Sequence, residues 1–238
     1  MRRRSVVLAV VLVVGALWSV AAQDSVPEAG QIGLNTAQQN LQEVRVDQFE
    51  DPGFWLSSIP SDRGLILHRR VAGSAPGKEP IEAEVAAGVE IVDENVVGVR
   101  VDFYRRGSVS FALEAVRPIA IPGIVKTMSV HVVGRNRLHR LSAVVEDYFG
   151  NVSVIPMGTN GLLNHSGWRR MTAAIPPTIE QTSPFFNTQS GLLFRGFIID
   201  AAIEEAFGTY YIYFDDLRAV TDLFAEESRD PNDMVDGW

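Results

Sequence analysis

The chain contains no cysteine in its 238 residues. That excludes a disulfide framework, a cysteine-rich zinc site and a lipid-bearing cysteine at an exported N-terminus. Histidine is scarce: His68, His131, His139 and His165 are scattered, with no His-x-x-x-His pair to hold a metal on one helix face. His131 lies on an expected strand and reads as a structural residue. There is no Gly-x-Ser-x-Gly elbow, no Walker loop and no dinucleotide glycine pattern. The adjacent pair His165–Ser166 is not how a nucleophile and its base are held. No catalytic residue, no cofactor and no enzyme activity are therefore expected. Beyond the first residues, no run is apolar enough to span a membrane.

What is present begins with an address. Arg2, Arg3 and Arg4 precede an apolar run from Val6 to Leu17, and Ser19-Val20-Ala21-Ala22 supplies small residues. This is the layout of a secretory signal peptide, and the run is short of the roughly 18 residues a spanning helix needs. Cleavage is expected between Ala22 and Gln23, or one residue earlier, leaving no membrane anchor. The whole chain has 21 basic and 29 acidic residues, a net charge of −8; loss of the three arginines leaves 18 against 29, or −11. So acidic a chain repels nucleic acid and anionic lipid.

The remainder divides into a polar arm (23–43), a β-sandwich domain (44–222) and an acidic tail (223–238). The arm and tail read as segments that order on a partner. Val44 and Val46 open the first strand, which Glu50-Asp51-Pro52-Gly53 breaks. Ser57 to Gly88 reads as a long, partly irregular connection, and strand character returns at Val89–Val92. Val97, Val99, Val101 and Phe103 share one face against Arg100 and Asp102, the half-buried alternation of an antiparallel strand. Val109, Phe111 and Leu113 repeat it, then Met128, Val130 and Val132, then Leu141, Ala143 and Val145, and then Val152, Val154 and Pro156. Pro122–Gly123 reads as the centre of a type II hairpin turn. Late strands are Gly191–Ile199 and Tyr210–Val220. In the latter Tyr211, Tyr213 and Asp215 alternate against Tyr210, Ile212 and Phe214, so a central or covered strand is expected. Strands at regular spacing without a long helical period predict an all-β antiparallel β-sandwich or jelly roll.

Two kinds of site residue stand out. Asp47, Glu50 and Asp51 lie near the first strand and Asp215 and Asp216 in the last, so Asp47, Glu50 and Asp216 are candidate hard-oxygen ligands for a structural calcium ion. The plainer reading of the same acids is solvated strand edges. Trp55 and Trp168 sit in turn-rich segments, where each either caps the core or offers a stacking platform. With Tyr210 and Tyr213 they are the candidate partner or glycan contacts. Asn151-Val-Ser and Asn164-His-Ser match the glycosylation pattern by chance.

The ordered series Val99-Arg100-Val101-Asp102-Phe103 with Arg105 and Gly107, Ile121-Pro122-Gly123-x-Val125-Lys126, Val132-x-Gly134, Asp147-x-x-Gly150, Pro156-x-Gly158, Gly167–Trp168 and Tyr211-Ile212-Tyr213-Phe214-Asp215-Asp216-Leu217 resembles the spirochaete flagellar filament outer-layer (sheath) proteins, the FlaA family. The resemblance covers residues 95 to 222, with a looser echo at Val44–Trp55. It implies a galactose-binding-like jelly roll that coats a core of flagellin subunits inside the periplasm, beside other sheath proteins and further copies of itself. It also implies an effect on filament shape and stiffness, and no catalysis. The loop Gly158–Ser166 departs from the asparagine-rich, aromatic loop common in that family. A second reading from the same sandwich architecture is a soluble periplasmic carbohydrate-binding module.

Overall fold

A computed structural model describes residues 40–182 and 191–223. The expected leader with its Ala22–Gln23 cleavage site, the arm up to residue 39 and the tail from residue 224 lie outside the described residues. Eleven strands follow in order: β1 (Leu41–Asp47), β2 (Trp55–Ser58), β3 (Gly64–Ala72), β4 (Asn95–Phe103), β5 (Val109–Pro122), β6 (Ile124–Val133), β7 (Arg140–Glu146), β8 (Val152–Pro156), β9 (Trp168–Ala174), β10 (Gly191–Ala201) and β11 (Gly208–Asp222). One short helix, α1 (Glu82–Ala86), interrupts the link between β3 and β4.

The strands form two antiparallel sheets. One runs β2-β5-β10-β7-β8, the other β3-β4-β11-β6-β9 with β1 also paired to β11. Because β5, β6 and β7 fall in alternate sheets, the chain crosses the sandwich repeatedly, as a jelly roll does. The all-β sandwich expected from the alternation is the fold found.

The same alternation fills the core. Val97, Val99 and Val101 of β4, Phe111 and Leu113 of β5, Met128, Val130 and Val132 of β6, and Leu141, Ala143 and Val145 of β7 are all buried. Between the sheets Phe49 stacks on Trp55 at 4.7 Å and Phe197 on Phe214 at 5.1 Å. Each such side chain contributes about 1.5–3 kcal/mol on leaving water.

Four sequence expectations are corrected. The stretch 57–88, expected as a partly irregular connection, contains a regular strand, β3, which runs nine residues beside β4. Its pattern is poor because it is an edge strand with Leu65 and Leu67 exposed. Val89–Val92 is not a strand; it passes over the surface with Val89 and Val92 in water. On β8, also an edge strand, Val152 and Val154 face outward and Ile155 is buried. Finally, Pro122–Gly123 is a tight corner but not a hairpin: β5 and β6 lie in different sheets, and the corner carries the chain across. Gly123 has the positive φ of 71° the corner needs.

At the open side of the sandwich, Ser57 Oγ lies 2.8 Å from His68 Nδ1. The pair links β2, the edge of one sheet, to β3, the edge of the other. Among the described residues Ser57 is the one polar side chain bonded to His68.

Candidate functional site

The last strand changes partners halfway along. On one side β11 pairs with β6; on the other it pairs with β4 from Gly208 to Phe214 and then with β1 from Leu217 to Asp222. The changeover falls on Asp215 and Asp216. Register breaks there in two ladders, and Asp216 takes a φ of 51°. Such a bulge re-aims side chains. Here it sends two consecutive carboxylates to the face of the sheet away from the core, where both are fully buried.

What buries them is the 22-residue connection between β3 and β4. It folds back over the sheet as a lid, with Ala75 and Ile81 buried against it. Charge holds the lid down. Lys78 Nζ reaches Asp215 at 2.6 Å and Asp93 at 2.5 Å, and the Ala75 N–H donates to Asp215 at 2.7 Å. Arg45 of β1 bonds Glu84 of α1 through two nitrogens, at 3.0 and 2.8 Å, and Asp216 at 2.8 Å. Arg218 Nε lies 2.8 Å from Asp216 and its Nη1 donates to Glu43 at 3.3 Å. Glu43 also accepts from Arg170 of β9. Buried carboxylates need such partners, because an unpaired one costs far more than the sheet can offset. Burial pushes the Asp215 carboxyl above its ordinary value, with Lys78 opposing. Burial likewise holds His131, 3.6 Å from Asp216, below the usual imidazole range.

Past the edge of the lid the sheet is open. Tyr211 and Tyr213 project from β11 on this face, Tyr211 exposed and Tyr213 half-buried. Tyr213 lies over Gly98 of β4, where a Cβ would come within 3.0 Å of its ring, and Arg135 sits 5.3 Å from the ring centroid on the other side. The two tyrosines form a ridge between two shallow grooves. One, of about 330 Å³, is lined by Leu67, Arg69, Val71 and Arg100. The other, of about 410 Å³, is lined by Arg135, Arg137 and Thr209.

The residues singled out from sequence are distributed differently from expectation. Trp55 is 1% exposed and packs on Phe49, Phe54 and Phe194, so it is core and offers no platform. Tyr210 is also core, its hydroxyl donating to the Gly134 carbonyl at 3.1 Å. Trp168 is half-buried at the start of β9. Tyr213 is on the ridge. Tyr211 was missed as a contact, although the alternation had placed it on the same face as Tyr213.

Asp47, Glu50 and Asp216 do not converge. Asp47 accepts from the Phe49 N–H at 2.7 Å, Glu50 from the Glu94 and Asn95 backbone and the Asn95 side chain, and Asp216 from Arg45. Among the described residues, no three acidic or histidine side chains gather as a metal cage. Glu50 instead ties the first strand's end to the lid's last residues.

Asp47 gives a pH prediction. Burial raises its pKa from 3.8 to about 6, against the Phe49 hydrogen bond. A carboxyl with a raised folded pKa is most favourable below its unfolded value and loses that advantage as pH rises through 6. Relative to Asp47→Asn, the wild type should therefore gain about 2–3 kcal/mol between pH 7 and pH 4. Urea titrations at both pH values measure it; parallel profiles would contradict the assignment.

The family model for flagellar filament outer layer protein FlaA matches residues 19–229. A flagellar filament outer layer-like protein of Brachyspira hyodysenteriae is 33% identical over 210 residues, 88% of this chain and 92% of that one. Solved structures are more distant. Carbohydrate-binding modules of the β-sandwich superfamily align with a TM-score of 0.47 at 15% identity, over 75% of this chain and 61% of that one. A family 11 carbohydrate-binding module of the Clostridium thermocellum cellulase Lic26A-Cel5E aligns with a TM-score of 0.40 at 12% identity, over 75% and 94%. With a family match across most of its length and a relative 33% identical over 88% of it, the chain belongs to the FlaA family of flagellar filament outer layer proteins.

Proposed function

We propose that this protein is a structural subunit of the outer layer of periplasmic flagellar filaments, laid over the flagellin core, and that it shapes and stiffens the filament without turning over a substrate. The observation that carries the reading is family membership over nearly the whole chain. The physical features agree with it. The lid is pinned by buried ion pairs, and the open part of the same face presents aromatic and arginine side chains, the residue types most often found as anchors where proteins pack.

The test is fractionation followed by deletion. The protein should co-purify with intact filaments. Removing its gene should leave flagellin cores in place but thinner or differently curved, with altered motility. Filaments of unchanged diameter and shape, with the protein in the soluble periplasmic pool, would overturn the proposal. That outcome would favour the carbohydrate-binding reading, with Tyr211 and Tyr213 as the exposed rings.

A further inference from the structure

The outer face of the six-stranded sheet carries two sets of charge with no opposite charge paired to them among the described residues. Beside the tyrosine ridge, Arg69, Arg135 and Arg137 have no carboxylate partner among the described residues. On the lid, Glu79, Glu82 and Glu90 have no cation partner among the described residues, because its one lysine is taken by Asp93 and Asp215. Each set is accompanied by apolar side chains in water. Leu65, Leu67 and Tyr211 lie on the ridge side, while Val85, Val89 and Val92 on the lid are 62%, 55% and 59% exposed.

The two sets adjoin. Tyr213, at the ridge, and Asp215, under the lid, are two residues apart on β11. The lid is a raised acidic step, and the ridge and its grooves form the lower basic floor next to it. A face built this way is complementary to itself after a two-fold rotation, which is what a closed, isologous interface requires. Both halves are present on one chain, so a second copy supplies a match in charge and in apolar surface at once.

We infer that two copies of this chain associate face to face, each seating its lid on the other's tyrosine ridge. Glu79, Glu82 and Glu90 of one copy then meet Arg69, Arg135 and Arg137 of the other, and Val85, Val89 and Val92 cover the grooves. As a partner for the outer-layer subunit this inference rests on the reading above. Its test uses purified protein, so failure to dimerise leaves co-purification with filaments unaffected.

Sedimentation equilibrium of the wild-type chain should show a concentration-dependent dimer that weakens as salt is raised. Arg135→Glu with Arg137→Glu should weaken it by about tenfold or more, and Glu82→Arg with Glu90→Arg should do the same. Mixing the two double variants should restore dimers, since each altered patch then faces an opposite charge at both contacts. Tyr211→Ala should weaken the dimer with the fold unchanged by circular dichroism. A monomer at every concentration, a dimer indifferent to the reversals, or no recovery on mixing would overturn the inference. So would binding of an oligosaccharide or of bare flagellin filaments at the ridge while copies remain monomeric.

Discussion

Replacing Arg218 with methionine should destabilise the protein by about 3–5 kcal/mol, read as a lower urea midpoint at pH 7. Arg218 is 2% exposed and lies 2.8 Å from Asp216, itself fully buried at the bulge of β11. Methionine fills much of the same volume, so the loss isolates charge from packing. What remains is a buried carboxylate with one arginine fewer and a Glu43 released from one of its two partners. Adding Asp216→Asn in the same chain should recover about 1–2 kcal/mol, because the stranded charge is then gone. Asparagine also tolerates the left-handed backbone at that position. Arg45 keeps Glu84 in the double variant. A cost below about 1 kcal/mol for the single change would mean water screens the cluster as it does a surface pair.

The second large effect is expected at the corner between the sheets. Gly123→Val should cost about 3–5 kcal/mol. Two penalties coincide: the φ of 71° is unfavourable for a β-branched residue, and a Cβ there would come 2.5 Å from the Asp222 carbonyl oxygen and 2.6 Å from Thr221 Oγ1. Neither neighbour yields easily. Asp222 is at the end of β11, and the Thr221 hydroxyl donates to the Pro122 carbonyl at 2.5 Å. Gly167→Ala is the control, with a φ of 75° and nothing within 4 Å of the added atom. It should cost only the backbone term, about 1 kcal/mol. Equal effects at the two sites would show that the collision at Gly123 is relieved by a small shift of the corner.

How much of this was legible in the sequence depends on where the cause is local. The alternation in Val97–Phe103 and Val109–Leu113 identified strands correctly because each buries one face and wets the other, a pattern written into neighbouring residues. Pro122–Gly123 announced its backbone shape for the same reason. It could not announce that β5 and β6 part company there, since sheet membership depends on residues a hundred positions away. The edge strand β3 was obscured, and the inward face of β8 misassigned, because half-exposed edge positions tolerate Leu65, Leu67, Val152 and Val154 in water. Val89–Val92 looked like a strand because the lid carries apolar residues outward.

The site was harder to read. Arg45 to Asp216 and Lys78 to Asp215 span 171 and 137 positions, and no local pattern joins them. One signal was available: Asp215, Asp216 and Arg218 interrupt an otherwise apolar and aromatic strand, and charges inside a central strand demand partners. Neither reading of the strand acids, as solvated edges or as ligands for a calcium ion, names the arginine and lysine partners that meet this demand. Choosing Tyr210 over Tyr211 was an error of face, since Ile212 and Phe214 already marked Tyr210 as inward.

The pairing of β1 with the end of β11 sets how the subunit responds to load. Leu41 faces Asp222 across the ladder, and the Leu223 N–H donates to the Asn40 carbonyl at 2.9 Å, so the chain enters and leaves the sandwich at one point. Tension applied between those two ends acts perpendicular to the strands. It would open the β1–β11 ladder one hydrogen-bonded pair at a time, like a zipper, instead of loading all pairs together in shear. Gripped by its ends, the sandwich is mechanically soft; gripped by its broad face, where the lid is riveted to the sheet by Lys78 and Arg45, it is stiff. In the outer-layer role proposed above, contacts through the face would therefore hold a curvature better than contacts through the ends.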